Sequence, residues 1–190
     1  MNWRHLPNVI TGARIALVLP LVGLMRAGDH GAALAVAALA AFTDALDGFL
    51  AKRFGWQTPL GALLDPIADK VLLAACFVGL WESQTIAGWL LGLVLGRDVV
   101  IVAGALAFHW LIGPVEALPT RLSKLTTVVQ IAFVLMALLH LAWRPMPGSW
   151  LSVGVILVAG LTLASGLDYV LRWSWRAASA RRDAKRDTRS

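Results

Sequence analysis

Four aspartates occur in two pairs inside apolar stretches of this sequence. Asp44 and Asp47 are three residues apart, and Asp65 and Asp69 are four residues apart. On a helix, either spacing places both side chains of a pair on one face. A charge at the centre of a membrane costs at least ~2.5 kcal/mol, so carboxylates in apolar stretches of this kind indicate a functional site.

Two such pairs need a counter-charge if the fold brings them together. Like charges in a poorly solvated site cannot all remain ionised without one, and divalent cations supply it. An all-oxygen ligand set favours a hard cation such as Mg²⁺ or Mn²⁺ over zinc. We expect the two helices that carry the pairs to pack antiparallel through the short segment between them, which would place all four carboxylates at one spot.

Glycines and basic residues accompany the aspartates. Gly48 follows the first pair and Gly61 precedes the second, and the missing side chain lets a ligand approach the backbone. Lys52 and Arg53 lie at the same end of the motif, where their charges suit a phosphate. The structural alternatives are helix caps or ion pairs for the acids and close helix packing for the glycines. Two same-face pairs bracketed by glycines favour the functional interpretation.

The composition indicates an integral membrane protein. Of the 190 residues, 58% are hydrophobic and 15% are charged, and the mean hydropathy is +0.72. A soluble domain would carry more polar surface. Seven basic residues lie in the last nineteen positions. We therefore expect a membrane domain over residues 1–175 and a basic, disordered cytoplasmic tail over residues 176–190, which suits a membrane surface rather than a nucleic acid.

Six apolar runs, each long enough to span a bilayer, follow one another along the chain. They cover residues 9–25, 31–53, 61–80, 86–112, 122–143 and 150–173. Basic residues gather on one side of the resulting topology, and the positive-inside rule makes that side cytoplasmic. We predict an all-α integral membrane protein with six transmembrane helices, both termini in the cytoplasm and the aspartate motif near the cytoplasmic face of a bacterial inner membrane.

The aspartate motif resembles the signature of the CDP-alcohol phosphatidyltransferases, D-x-x-D-G-x-x-A-R followed after about eight residues by G-x-x-x-D-x-x-x-D. Lys52 stands where the family has arginine, and lysine keeps the charge but lacks the bidentate guanidinium. The start of the chain is similar to the opening helix of the family at Pro7, Asn8, Thr11 and Arg14. The matching positions of the main motif are Asp44, Asp47, Gly48, Ala51, Gly61, Asp65 and Asp69.

This resemblance implies an enzyme that transfers a phosphatidyl or similar phospho group from a CDP-linked donor to an alcohol and releases CMP. It also implies a homodimer whose site, on the cytoplasmic side, holds two ions of Mg²⁺ or Mn²⁺. The implied metal ligands are Asp44, Asp47, Asp65 and Asp69, and Asp69 is also the implied general base. The implied CDP-binding residues are Asp47, Gly48, Ala51, Lys52, Gly61, Asn8 and Thr11.

The acceptor alcohol is indicated by a second resemblance. The segment 119–130, together with Arg97 and Asp98, resembles the cardiolipin synthases of this family more than its phosphatidylglycerophosphate synthases. The resemblance favours CDP-diacylglycerol as donor and phosphatidylglycerol as acceptor, with glycerol 3-phosphate as the alternative and inositol phosphate behind both. The two leading acceptors carry a glycerol hydroxyl and a phosphate, so the candidate acceptor-binding residues are Arg97, Arg121 and Lys124.

Several charged residues also have a structural interpretation. Arg97 lies deep in the fourth run and needs a partner, which could be an aspartate of the bundle as readily as an acceptor phosphate. Asp98 fits a structural pairing better than catalysis. Asp168 and Arg172 are four residues apart, which predicts an ion pair within one helix. The basic residues at the start of the fifth run satisfy the positive-inside rule without a ligand.

Two functions of other classes are compatible with the composition. A cation transporter would use its aspartates as a translocation site, but it would need them near the bilayer midplane on discontinuous helices. The aspartates gather toward one face instead, beside basic residues and glycines, which favours the enzyme. A non-catalytic, lipid-binding relative is the third alternative, and retention of all four aspartates argues against it.

Overall fold

Six helices and no strand make up the described part of the chain. The computed structural model describes the backbone of residues 6–54, 59–111, 120–143 and 147–187 and most of the side chains within them. The predicted all-α fold and the six predicted helical runs are confirmed. The helices are Leu6–Arg26 (α1), His30–Phe54 (α2), Pro59–Glu82 (α3), Gly88–Leu111 (α4), Arg121–Ala142 (α5) and Gly148–Asp187 (α6).

Local signals explain where helices begin and end. Gly28 follows the end of α1 with a φ of 76°, a left-handed conformation that glycine adopts without strain. The Asp29 carboxylate then accepts a hydrogen bond from the Ala32 backbone N–H at 3.0 Å, as an N-cap does at the start of a helix. At the start of α5, the Thr120 hydroxyl accepts from the Ser123 N–H at 3.1 Å in the same way.

The last helix is longer than the sequence indicated. α6 contains 40 residues and continues to Asp187. It therefore runs through most of the segment 176–190 that we expected to be a disordered tail, and residue 175 is not the end of a helix. The polar, basic composition of this segment suits a helix that leaves the bundle, since arginine, lysine and alanine are good helix formers.

Two helices have both the length and the apolar composition of a membrane span, namely Arg121–Ala142 and Ser149–Trp175. These two are the spans among the described residues, and α2 contains a shorter apolar stretch, His30–Asp44. Large apolar side chains face outward on several helices, including Leu19 at 80% exposure and Ile156 at 69%. Such outward apolar surface suits a hydrocarbon environment better than water.

The helix neighbours differ from those that the sequence indicated. α1 packs against both α2 and α3. Over the described residues, the backbones of α2 and α3 do not approach each other closely, although the two helices are consecutive, so the expected antiparallel pairing is not seen there. α5 packs against α2, α3 and α6, and α4 packs against α3 and α6. α1 and α5 are thus the two helices that connect the aspartate-bearing elements.

Aromatic stacking and one peripheral ion pair support this packing. The rings of Phe77 in α3 and Phe133 in α5 stack with centroids 6.1 Å apart, and both residues are buried. At the C-terminal ends of α1 and α3, Arg26 donates two hydrogen bonds to Glu82. These bonds lower the pKa of Glu82, so any stability they provide is present above its ordinary pKa and is lost as the pH falls through the lowered value.

Gly154 of α6 provides a test of this packing. A Cβ at this position would lie 2.7 Å from the Phe133 ring, which is itself stacked on Phe77. Gly154→Ala should therefore destabilise the protein by about 1–3 kcal/mol through overpacking. We expect a melting temperature in detergent several degrees below that of the wild type.

Gly160→Ala is the matched control on the same helix. A Cβ at Gly160 would meet nothing within 4 Å, and alanine has a higher helix propensity than glycine by about 1 kcal/mol. This variant should melt at or above the wild-type temperature. Equal melting temperatures for the two variants would contradict the packing of α6 against α5.

Candidate functional site

A buried arginine joins the first and the last aspartate of the motif. The Arg14 side chain in α1 is only 1% exposed, and its Nη1 lies 2.7 Å from Oδ1 of Asp44 and 2.6 Å from Oδ1 of Asp69. Both carboxylate oxygens contact the same nitrogen, so the distance between them cannot exceed the sum of these two distances. The structure thus brings one acid from α2 and one from α3 into contact with the same guanidinium nitrogen, and the convergence of all four acids stays a prediction.

Sequence reasoning did not include Arg14 among the site residues. It noted Arg14 only as part of the opening pattern of the chain, whereas the structure places it at the centre of the two acids. A signal was present, because an arginine inside an apolar run must find a partner. The packing of α1 against both α2 and α3 explains how one of its side chains reaches an acid on each of these helices.

The remaining members of the aspartate motif have described backbone only. Asp47 lies in α2 and Asp65 in α3, but their side chains fall outside the described residues. The same holds for the side chains of Ala51, Lys52 and Asn8 and for the surroundings of Gly48 and Gly61. Their predicted roles stay predictions. Thr11, the other predicted CDP-binding residue, is fully buried three positions before Arg14 on α1.

The described acids suit a hard divalent cation. Asp44 and Asp69 are 39% and 40% exposed, so each carboxylate keeps an accessible side next to its contact with Arg14. Carboxylate oxygens are the ligands that Mg²⁺ and Mn²⁺ prefer. Among the described side chains no group of three or more potential metal ligands occurs, and Asp47 and Asp65 lie outside the described side chains. The chemistry of the donor set therefore fits the predicted ions.

A second polar network lies beside the first and connects four helices. Asp98 Oδ1 is 2.6 Å from both Lys70 Nζ and Arg97 Nη1. The Nη2 of Arg97 donates to the hydroxyls of Ser123 at 2.6 Å and Ser165 at 2.7 Å. The network thus ties α3 and α4 to α5 and α6. It confirms the structural pairing that we expected for Asp98, and it gives Arg97 an aspartate partner.

A cavity of about 490 Å³ opens between α2, α3 and α5 next to these networks. Its polar end is formed by charged and hydroxyl side chains, and the rest of its wall is mainly apolar. The polar end contains Arg14, Asp44, Asp69, Lys70, Arg97, Asp98, Ser123 and Lys124. The apolar wall contains Ala37, Ala40, Ala41, Leu72, Leu73, Cys76, Val128, Ile131, Val134 and Leu135.

Position along each helix shows the direction of this cavity. On α5, the lining residues change from Lys124 through Thr127 and Gln130 to Leu135, a distance of roughly 16 Å at ~1.5 Å per residue. On α3, they change from Asp69 to Cys76. The cavity can therefore hold an amphipathic ligand, with an anionic group at the charged end and a hydrocarbon segment along the helices.

The predicted acceptor-binding residues are separated in the structure. Arg97 and Lys124 line the charged end of the cavity, and Lys124 is exposed there. Arg121 is also exposed, but it is not one of the lining residues. The predicted ion pair within α6 is confirmed, because Arg172 Nε lies 2.7 Å from Asp168 Oδ1.

Comparison with known proteins identifies similar sequences across nearly the whole chain. A family model described as CDP-alcohol phosphatidyltransferase matches residues 4–165. A CDP-diacylglycerol–glycerol-3-phosphate 3-phosphatidyltransferase of Pseudomonas fluorescens is 35% identical over 90% of this chain and 90% of its own length.

Two eukaryotic relatives are longer than this chain, and their names give two different enzymes. A "probable cardiolipin synthase (CMP-forming)" of Drosophila melanogaster is 30% identical over 90% of this chain. A chloroplastic CDP-diacylglycerol–glycerol-3-phosphate 3-phosphatidyltransferase of Oryza sativa is 31% identical over 89%. The chain spans only 58% and 57% of the lengths of these two proteins.

The Asp98 network predicts a specific effect on stability. Asp98→Asn removes the carboxylate that both Lys70 and Arg97 contact, and it leaves a largely buried guanidinium without its charged partner. An unsatisfied buried group costs about 1–3 kcal/mol. We expect a lower melting temperature in detergent.

Glu82→Gln is the control, because it breaks an ion pair with a well-exposed arginine, and it should melt within a degree or two of the wild type.

Proposed function

This chain belongs to the CDP-alcohol phosphatidyltransferase family, and we propose that it moves the phosphatidyl group of CDP-diacylglycerol to a glycerol hydroxyl with release of CMP. One observation carries the proposal. Asp44 and Asp69 converge at the charged end of a cavity whose remaining wall is apolar. A lipid-linked diphosphate has the same division into a charged part and hydrocarbon chains.

The proposed acceptor is phosphatidylglycerol, which would make the protein a cardiolipin synthase. The similarity of the segment 119–130 to cardiolipin synthases supports this choice. The alternative acceptor is glycerol 3-phosphate, and the relatives include proteins named for each reaction at similar identities. Both acceptors offer a glycerol hydroxyl beside a phosphate, so one arrangement of basic residues serves either.

The proposed reaction is an in-line displacement at the phosphatidyl phosphorus. The acceptor hydroxyl oxygen forms a new bond to phosphorus, the bond from phosphorus to the oxygen of CMP breaks, and CMP leaves with the electron pair of that bond. Asp69, on the cavity wall, accepts the proton of the hydroxyl as general base. The Asp69–Arg14 contact holds the carboxylate at a defined place while this happens.

The proposed cofactor is a pair of Mg²⁺ or Mn²⁺ ions held by Asp44, Asp47, Asp65 and Asp69. Bound there, such ions would supply positive charge against the diphosphate oxygens. The CDP moiety would lie against Gly48, Ala51, Lys52 and Gly61, with Asn8 and Thr11 contributed by α1. Lys52 would contact phosphate through a single ammonium group, without the bidentate contact that the guanidinium of an arginine provides.

The basic residues around the cavity are proposed to hold the phosphate of the acceptor. Lys124 is best placed, because it lines the charged end and is exposed. Arg97 lines the same end, but both of its Nη groups already donate to protein oxygens, so its contact with the acceptor would be added to these bonds. Arg121 would attract the anionic acceptor from the surface.

We propose that all six helices span the membrane, with both termini and the active site at the cytoplasmic side of a bacterial inner membrane. α1 to α4 contain 21 to 25 residues, and about 20 residues suffice to cross a bilayer. The charged end of the cavity lies toward the end of α2 and the start of α5, where the basic residues of the positive-inside pattern also lie. A homodimer is proposed from the resemblance alone.

The test of the function is CMP release by the purified protein with CDP-diacylglycerol and Mn²⁺ or Mg²⁺. Release with phosphatidylglycerol but not with glycerol 3-phosphate is the expected result, and addition of EDTA should abolish it. Release with glycerol 3-phosphate alone would establish the alternative acceptor. The absence of CMP release with both acceptors would contradict both proposed acceptors and would reopen the choice of acceptor together with the cation transporter.

Asp69→Asn tests the proposed base. The amide is nearly the same size but cannot accept the hydroxyl proton, so transfer should fall by 10²-fold or more, while CDP-diacylglycerol binding stays largely intact. Asp168→Asn is the matched control, since this aspartate lies on α6 and pairs with Arg172. Turnover of Asp69→Asn at a near wild-type rate would show that another group takes the proton.

A further inference from the structure

Arg14 occupies an unusual position for a residue outside the aspartate motif. Its side chain is 1% exposed, and one nitrogen contacts a carboxylate from each half of the motif. Arg26, the other arginine described in α1, is instead 63% exposed, and it pairs with Glu82 at the C-terminal end of the helix. The same helix therefore contains a buried arginine at the acids and an exposed one away from them.

The two acids lie on helices that both pack against α1. Over the described residues, α2 and α3 are joined through α1 and α5 rather than by close approach of their own backbones. On the other side of the acids lies the cavity. Of the two connecting helices, α1 supplies the side chain of Arg14, which contacts both carboxylates directly.

Charge gives Arg14 a second effect. Two carboxylates that share one region repel each other and move toward solvent if no cation lies between them. Both acids are about two-fifths exposed, so solvent is within reach. A guanidinium between them opposes this separation before any ligand arrives.

We propose that Arg14 is a positioning residue that holds Asp44 and Asp69 at the spacing needed to bind a divalent cation. The inference rests on the proposed function, because it assigns Arg14 a role at the same acids. It predicts whether Arg14 raises or lowers the affinity for the cation. Arg14 should strengthen cation binding by pre-organising the ligands, although a positive charge at the same oxygens would on its own weaken it.

The experiment measures Mn²⁺ binding to the purified full-length protein by electron paramagnetic resonance, without substrate. Arg14→Gln should bind Mn²⁺ at least tenfold more weakly than the wild type. Arg14→Lys should recover part of this loss, because a single nitrogen makes both contacts and lysine also offers one. Arg26→Gln is the matched control and should bind Mn²⁺ as the wild type does.

A kinetic readout separates positioning from a merely structural role. In Arg14→Gln, the Mn²⁺ concentration for half-maximal CMP release should rise, and saturating Mn²⁺ should restore much of the rate. If Arg14→Gln fails to fold, Arg14→Lys carries the test with an expected loss of several-fold in Mn²⁺ affinity.

The possible results distinguish the inference from the function on which it rests. Equal Mn²⁺ binding by Arg14→Gln, or by Arg14→Lys where only that variant folds, would overturn the positioning role and leave the enzyme intact. Tighter binding would overturn it as well, by showing that Arg14 competes with the cation. Absence of Mn²⁺ binding by the wild type would overturn the proposed cation site itself.

Discussion

A guanidinium that is almost completely buried is stable only if anions face it, and for Arg14 these anions include Asp44 and Asp69. Loss of either carboxylate would leave a charge without full compensation in a poorly solvated place. The acids in turn lie on two helices, α2 and α3, that both pack against α1. The packing of α1 and the geometry of the acids therefore stabilise one another.

The second network extends this constraint through the rest of the bundle. Asp69 and Lys70 are adjacent in α3, yet Asp69 pairs with α1 and Lys70 pairs with Asp98 of α4. Arg97, next to Asp98, then reaches the hydroxyls of α5 and α6. Consecutive residues of α3 thus connect both networks, so a shift of α3 would disturb the two carboxylates and the basic end of the cavity together.

The sequence was sufficient to predict the helices and the proximity of Asp44 to Asp69, but not the helix neighbours. Long apolar runs identify helices because burial of apolar side chains dominates their stability, and the spacing of Asp44 and Asp69 within their pairs places them on defined faces. Spacing along a chain carries no information on which helix lies between two others. For that reason the central position of Arg14 emerged only from the structure. The helical continuation to Asp187 was not predicted either, because a basic composition is compatible with helix and disorder alike.

The gradient along α5 explains why the charged residues must lie at one end of the cavity. A lipid-linked diphosphate can react with a second lipid only where both phosphates reach the polar boundary of the membrane, while the chains of both lipids remain in hydrocarbon. Lys124 lies one turn into α5, whereas Val134 and Leu135 line the same cavity three turns further along. Between them, Thr127 and Gln130 supply neutral polar groups, and Gln130 is already hydrogen-bonded to Thr162 of α6. A charge at that depth would cost several kcal/mol, so a neutral amide is the polar group that the deeper wall can tolerate. The placement of charge at one end thus suits a membrane, and in the proposed reaction it would bring the reacting phosphorus to the place where Asp44 and Asp69 converge.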